Sequence, residues 1–209
     1  MLTAAALSGC GLRSIISPCT RPVAGDSSII FRDNFSNGSC GWDRLANDMV
    51  VTDYADGVYR IYINDVNSYY WANPGRSFTD VRVEVEATKD GGPDDNSLGL
   101  ICRSQGPQDF YFALISSDGF AGIGKTNSGQ QTLLTGDNLA PADAIHRGNS
   151  KNTIRLDCLG NSLSLLVNGT QVATVTDSDF AEGDVGLMAG TYDTPGTDIQ
   201  FDNFVVRAP

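Results

Sequence analysis

The chain has 209 residues, with 25 acidic and 14 basic side chains, 23 glycines and a formal net charge of −11. This acidic surplus excludes nucleic acid as a partner, whose phosphates it would repel, while it permits calcium and suits an extracytoplasmic surface. Only Glu84, Glu86 and Glu182 are glutamates, and most of the aspartates lie in Gly- and Asn-rich stretches where their side chains serve turns.

The opening "MLTAAALSGC" is a small apolar run ending in a cysteine. It is too short for a stable isolated helix or for a bilayer span, which takes about 20 apolar residues. Leu7, Ser8, Gly9 and Cys10 resemble the lipobox of bacterial lipoproteins. That resemblance implies cleavage before Cys10 and lipid on its thiol; the alternative is a frayed terminus with an incidental cysteine. The expected organisation is a signal remnant over 1–9, a lipidated tether over 10–28 and one β domain over 29–209. With Cys10 lipidated, Cys19, Cys40, Cys102 and Cys158 form an even set that fits an oxidising compartment. Cys102 and Cys158 sit in the strand patterns "LGLICRS" and "TIRLDCLG", which favours a Cys102–Cys158 bond across neighbouring strands and a Cys19–Cys40 bond tying the tether to the domain. Four buried free thiols are the alternative.

From residue 29 onward, short strand patterns alternate with turn residues. "SIIFRDNF" leads to "MVVTDY", the turn "ADG" and "VYRIYIN". The clearest period of two follows, with Val81, Val83, Val85 and Ala87 on one face and Arg82, Glu84 and Glu86 on the other, which predicts a half-buried strand. "SLGLICRS" and "DFYFALISS" come next, and Asp118-Gly119 predicts a hairpin into "FAGIGKT". "LSLLVN" and "QVATVTD" are joined in the same way by Asn168-Gly169, and "DVGLMAGTY" and "DIQFDNFVVRA" close the domain. No stretch has convincing helical periodicity; the best is a turn around "APADAIH". Many short strands with regular turns predict an all-β sandwich or jelly roll.

The succession "FRDNF…GW", "DGVYRI", "FTDVRVEVEATK", "GLICR", "FYFALISSDG", "NTIRLDCLGNSLSLLVNG", "GDVGLMAGTYD" and "FDNFVV" resembles the concanavalin A-like jelly rolls. Within that superfamily it is most similar to the 3-keto-disaccharide hydrolase and family 16 glycosidase-like domains of bacterial surface lipoproteins. The resemblance implies a β-sandwich of two antiparallel sheets, one of them concave and shaped to take sugar chains.

Phe110, Tyr111, Phe112, Leu114 and Ile115 are apolar on both parities of one strand, so either loops cap both faces or one face displays aromatics to a ligand. Tyr69, Tyr70 and Trp71, before a Pro74-Gly75 turn, form a second aromatic platform. Sugar rings lie flat on aromatic faces, so the expected carbohydrate site comprises Trp71, Tyr69, Phe110 and Phe112, with Arg103 as polar partner; ordinary core packing is the competing use of these rings. Glu84 and Glu86 are the best catalytic carboxylates available, about 6.6 Å apart along a strand. "EVEATK" departs from the Glu-x-Asp-x-x-Glu pattern of family 16 glycosidases and has no third acid, so a solvated charged face is the favoured reading and no catalytic residue is assigned. His146, the single histidine, lies in a polar loop with no nucleophile elbow to support a triad. The resemblance further implies a calcium ion held by Asp202 in "FDNFVV", with Gly57 supplying a carbonyl and Asp33 a second carboxylate, although a set this small binds weakly. Turn and capping roles are the alternative for these residues. Together these readings predict a lipid-anchored, non-catalytic carbohydrate-binding jelly roll. A glycoside or 3-keto-disaccharide hydrolase and a structural module of the cell envelope are the rival readings.

Overall fold

A computed structural model describes Cys19 and residues 26–209. The lipobox and Cys10 lie outside the described residues. In chain order the strands are β1 (Ile29–Asp33), β2 (Leu45–Ala46), β3 (Val50–Ala55), β4 (Val58–Ile63), β5 (Tyr69–Ala72) and β6 (Ser77–Phe78). Next come β7 (Val81–Gly91), β8 (Asn96–Gly106), β9 (Asp109–Ile115), β10 (Phe120–Asn127), β11 (Gln130–Leu133) and β12 (Ala140–Pro141). The last five are β13 (Asn152–Leu159), β14 (Ser162–Val167), β15 (Thr170–Thr176), β16 (Gly183–Thr191) and β17 (Thr197–Arg207). No α-helix occurs among the described residues; "APADAIH" makes one turn, with Ile145 N donating to Ala142 O at 3.2 Å.

The strands form two antiparallel sheets. One has nine strands, in the order β15-β14-β13-β7-β17-β4-β3-β2, with β1 beside the C-terminal half of β17; the other has eight, β11-β10-β9-β8-β16-β5, with β12 and β6 at its margins. The fold is the concanavalin A-like jelly-roll sandwich. Burial divides the sheets as the sequence does. Strands β7, β13 and β14 alternate between buried and half-buried residues, so the nine-stranded sheet has one wet face. Strands β8, β9 and β16 are buried on nearly every residue, so the middle of the eight-stranded sheet is covered on both faces.

Between the sheets lies one apolar core. Val83, Val85, Ile154, Leu156, Leu165 and Phe201 enter it from the nine-stranded sheet, and Leu98, Leu100, Tyr111, Ala113, Ile123 and Leu187 from the other. Asn168-Gly169 makes the expected two-residue turn, with φ of 51° and 82°. Asp118-Gly119 instead ends a four-residue loop, closed by Ser116 N donating to Phe120 O at 2.8 Å.

Both disulfide pairings are present, with one correction. Cys102 on β8 and Cys158 on β13 bond across the core from facing sheets, not from neighbouring strands, because both side chains point inward. Cys19, bonded to Cys40, is itself buried in the core, so this part of the expected tether belongs to the packed body. The Cys102–Cys158 bond closes a loop with a sequence separation of 56. Replacing both cysteines by alanine is expected to lower the unfolding free energy by about 2–5 kcal/mol, read as a lower denaturant midpoint with the Cys19–Cys40 bond intact.

Candidate functional site

The outer face of the eight-stranded sheet, turned away from the core, is a second apolar layer. Ile101 on β8, Phe110, Phe112 and Leu114 on β9, and Met188 on β16 form its buried cluster, with Tyr69, Trp71 and Leu133 packed against them. The two parities of β9 therefore have two fates: Tyr111, Ala113 and Ile115 fill the core, while Phe110, Phe112 and Leu114 lie beneath this outer layer.

Glycine makes the layer thin. The outward positions of β10 and β16 include Gly122, Gly124, Gly186 and Gly190. Gly124 pairs across strands with Phe112, and Gly190 with Tyr69. In both pairs the ring occupies the space where a Cβ on the glycine would stand. A Cβ on Gly122 would lie 2.7 Å from Leu139 Cδ2, so the segment after β11 rests directly on β10. Trp71, cross-strand neighbour of Met188, leans across the face until its ring lies 5.2 Å from that of Phe110.

The expected open aromatic trough is therefore partly filled by the protein itself. Phe110 is fully buried and Phe112 nearly so, which corrects their reading as exposed stacking surfaces: Trp71, Leu133 and Met188 occupy the space a sugar would need. What stays open is a basin of about 350 Å³. It is lined by Tyr69 and Tyr192, by Phe112 and Leu114 of β9, and by Gln131, Thr132, Leu133, Gly136, Asp137 and Leu139 of β11 and the segment after it. The Tyr69 hydroxyl donates to the Tyr192 hydroxyl at 3.2 Å, which lies 2.8 Å from the fully buried Ser97 hydroxyl. Burial, and next the Tyr192 hydroxyl, hold the Tyr69 phenol well above its ordinary pKa, so it stays neutral. Asp137 is exposed and has no hydrogen-bond or ion-pair partner among the described residues.

Sequence reasoning placed Tyr69 here but missed Tyr192, Ser97 and Asp137. The signal was glycine on one parity of the strand, two apart in "AGIG" and four apart in "GLMAG", which marks sheet surface over which side chains from elsewhere lie down.

Other expected site residues lie elsewhere. Arg103 is 2% exposed, and its guanidinium donates to Thr79 O, Phe180 O and Asp80 Oδ1 at 3.0 to 3.3 Å. It ties the edges of the sandwich together and has no free face for a sugar. Glu84 and Glu86 lie on β7, on the wet face of the nine-stranded sheet, across the sandwich from the basin. Glu86 accepts from Lys151 Nζ at 2.8 Å and Asn203 Nδ2 at 3.0 Å, and these contacts hold its carboxyl below the usual range; Glu84 lies 3.8 Å from Arg207 Nη1. They belong to a surface ion-pair network on a solvated charged face.

Of the calcium set, Asp33 is nearly buried and accepts from Phe35 N, Trp42 Nε1 and Tyr54 OH. Burial raises its pKa, those donors oppose the rise, and the nearby Asp202 adds to it. Asp202 is half-buried and accepts from Asn203 N, while Gly57 lies in the β3–β4 turn. No group of three His, Cys, Asp or Glu side chains able to hold a metal ion occurs among the described residues.

No protein-family model matches the chain, and no curated protein matches it. Solved structures do match. The carbohydrate-binding module CBM66 from Bacillus subtilis is 18% identical, with 80% of this chain covering 96% of that one at a TM-score of 0.64. A protein of unknown function with a galectin-like fold from Bacillus subtilis is 12% identical over 86% of this chain and 96% of its own, with a TM-score of 0.63. The Bacillus licheniformis β-glucanase is 12% identical over 86% of this chain and 98% of its own, with a TM-score of 0.60. At these identities the likeness is one of fold.

Arg103→Met is expected to lose roughly 2–4 kcal/mol of stability, since Thr79 O and Phe180 O lose their buried donor. Thermal unfolding measures the loss, and ligand binding in the basin should be unchanged.

Proposed function

We propose that the chain is an extracytoplasmic carbohydrate-binding jelly roll that holds one or two sugar rings in the Tyr69–Tyr192 basin without cleaving them. The observation that carries this reading is the basin itself: an apolar wall, two tyrosine rings and a chain of neutral hydroxyls around about 350 Å³, at the small end of ligand pockets. A sugar presents the matching surface, with C–H groups for the rings and hydroxyls that both donate and accept. Its neighbours in fold include a carbohydrate-binding module and a β-glucanase, which supports a sugar ligand. Ordinary glycoside cleavage places two carboxylates about 5–9.5 Å apart around the bond; Asp137 is the one carboxylate among the described residues that line the basin. The two disulfides suit an oxidising compartment. Lipid attachment at Cys10, supported by Leu7–Cys10 in the sequence, would place many copies on one membrane and raise weak single-site affinity through effective concentration.

Calorimetric titration with a panel of neutral and amino-sugar oligosaccharides tests the reading. At least one should bind. Tyr69→Ala should then weaken binding by at least about tenfold, near 1.4 kcal/mol, and Tyr192→Phe by a smaller factor that reflects one lost hydroxyl, about 0.5–1.5 kcal/mol. A silent panel, or binding that survives Tyr69→Ala, overturns the proposal.

A further inference from the structure

We infer that the basin prefers sugars carrying a protonated amine and rejects sugar acids, with Asp137 as the specificity-determining residue; this rests on the carbohydrate-binding reading above. Asp137 stands between β11 and β12, where the chain crosses the outer face, and it is the one charged residue among the described residues lining the basin. Its carboxylate is uncommitted. Several other acids of the molecule are held by cations, among them Asp53 by Arg44, Asp198 by Arg60, Asp177 and Asp179 by Lys125, and Glu86 by Lys151. No lysine or arginine is among the described residues that line the basin.

Three features make that charge felt by a ligand. Leu133, Leu139 and Phe112 line the same basin, and a ligand seated against apolar surface feels a nearby charge with less solvent screening. A second carboxylate, Asp95, is close enough to Tyr69 to act on it electrostatically and, like Asp137, has no ion-pair partner among the described residues. The Tyr69 and Tyr192 hydroxyls bring no positive charge and retain lone pairs. An ammonium group on a bound sugar would donate to the Asp137 carboxylate, while sugar hydroxyls would pair with the tyrosine oxygens. An N-acetyl group in its place would bind without the charge attraction. A uronate would set its carboxylate against Asp137, with no cation to separate them.

The test compares a glucosamine trisaccharide, its N-acetylated counterpart and a galacturonate trisaccharide by calorimetry, at mildly acidic pH and low salt. The amine form is expected to bind roughly threefold to tenfold more tightly than the acetylated form, and the uronate not measurably. Added salt should shrink the preference. Asp137→Asn, a near-isosteric change in an exposed segment, should bring the amine-to-acetyl ratio to about one, while Glu84→Gln on the opposite sheet should leave the ratio as it is. A ratio near one in the native chain, a ratio that persists in Asp137→Asn, or uronate binding as tight as the amine overturns the inference. If the acetylated sugar binds without preference, the inference fails alone. If none of the three binds, it falls together with the carbohydrate reading.

Discussion

A cross-strand pair in which one partner lacks a side chain leaves a gap on the sheet, and a ring from the opposite strand can lie down in it. Gly124 with Phe112 and Gly190 with Tyr69 are such pairs on the outer face of the eight-stranded sheet. A methyl group at either glycine would collide with the ring and force it upright. With the rings down, the face is sealed close to the backbone, and Leu139 can reach Gly122 from the segment that crosses above. Each buried aromatic contributes on the order of 2–3 kcal/mol of apolar burial, so the second layer also stabilises the fold. The basin is the space that remains where Tyr69 and Tyr192 face that segment.

The other sheet has no such layer, and its outer face follows the opposite logic. Its strands alternate, and the residues they turn outward include a charged group: Arg82, Glu84 and Glu86 on β7, Arg155 and Asp157 on β13. Arg155 and Arg82 both approach Asp157, and Arg207 approaches Glu84. Exposed pairs of this kind are worth about 0–1 kcal/mol each, so they keep the face soluble more than they hold the molecule together. A carboxylate in such a network is already ionised and neutralised, and Glu86 is held more acidic than usual by Lys151 and Asn203. A general acid needs the reverse, a carboxyl kept protonated near neutral pH.

Much of this was legible in the chain. The period of two through Val81–Ala87 named a half-wet strand, Asn168-Gly169 named the β14–β15 turn, and the strand patterns around Cys102 and Cys158 marked a bonded pair. The double-parity apolar run of β9 posed the right question without answering it, because whether loops or ligands cover a strand depends on segments distant in sequence. Trp71 and Phe110 meet only because three strand pairings bring β5 and β9 onto one face. The sheet to which Glu84 belongs is likewise decided by the pairing of β7 with β13 and β17, between residues far apart in the chain. Arg103 was misplaced for a local reason. It has a φ of 53° at the irregular end of β8, where the β8–β9 register shifts, so strand parity stops predicting where its side chain goes.

The polar groups of the basin differ in how they respond to their surroundings, and this bears on what they can recognise. Ser97, Tyr192 and Tyr69 form a chain of hydroxyls in which each can donate and accept. Burial keeps the Tyr69 phenol protonated far into the alkaline range, so this part of the surface presents the same neutral pattern throughout physiological pH. Hydroxyl chains of this kind match the many hydroxyls of a sugar but discriminate weakly between one sugar and another, since nearly all sugars can satisfy them. Discrimination by charge needs a group that is ionised, unpaired and beside apolar surface. Asp137 is the lining residue that is unpaired and beside apolar surface, so under the proposed reading the hydroxyl chain would supply general affinity and the carboxylate a preference among sugars.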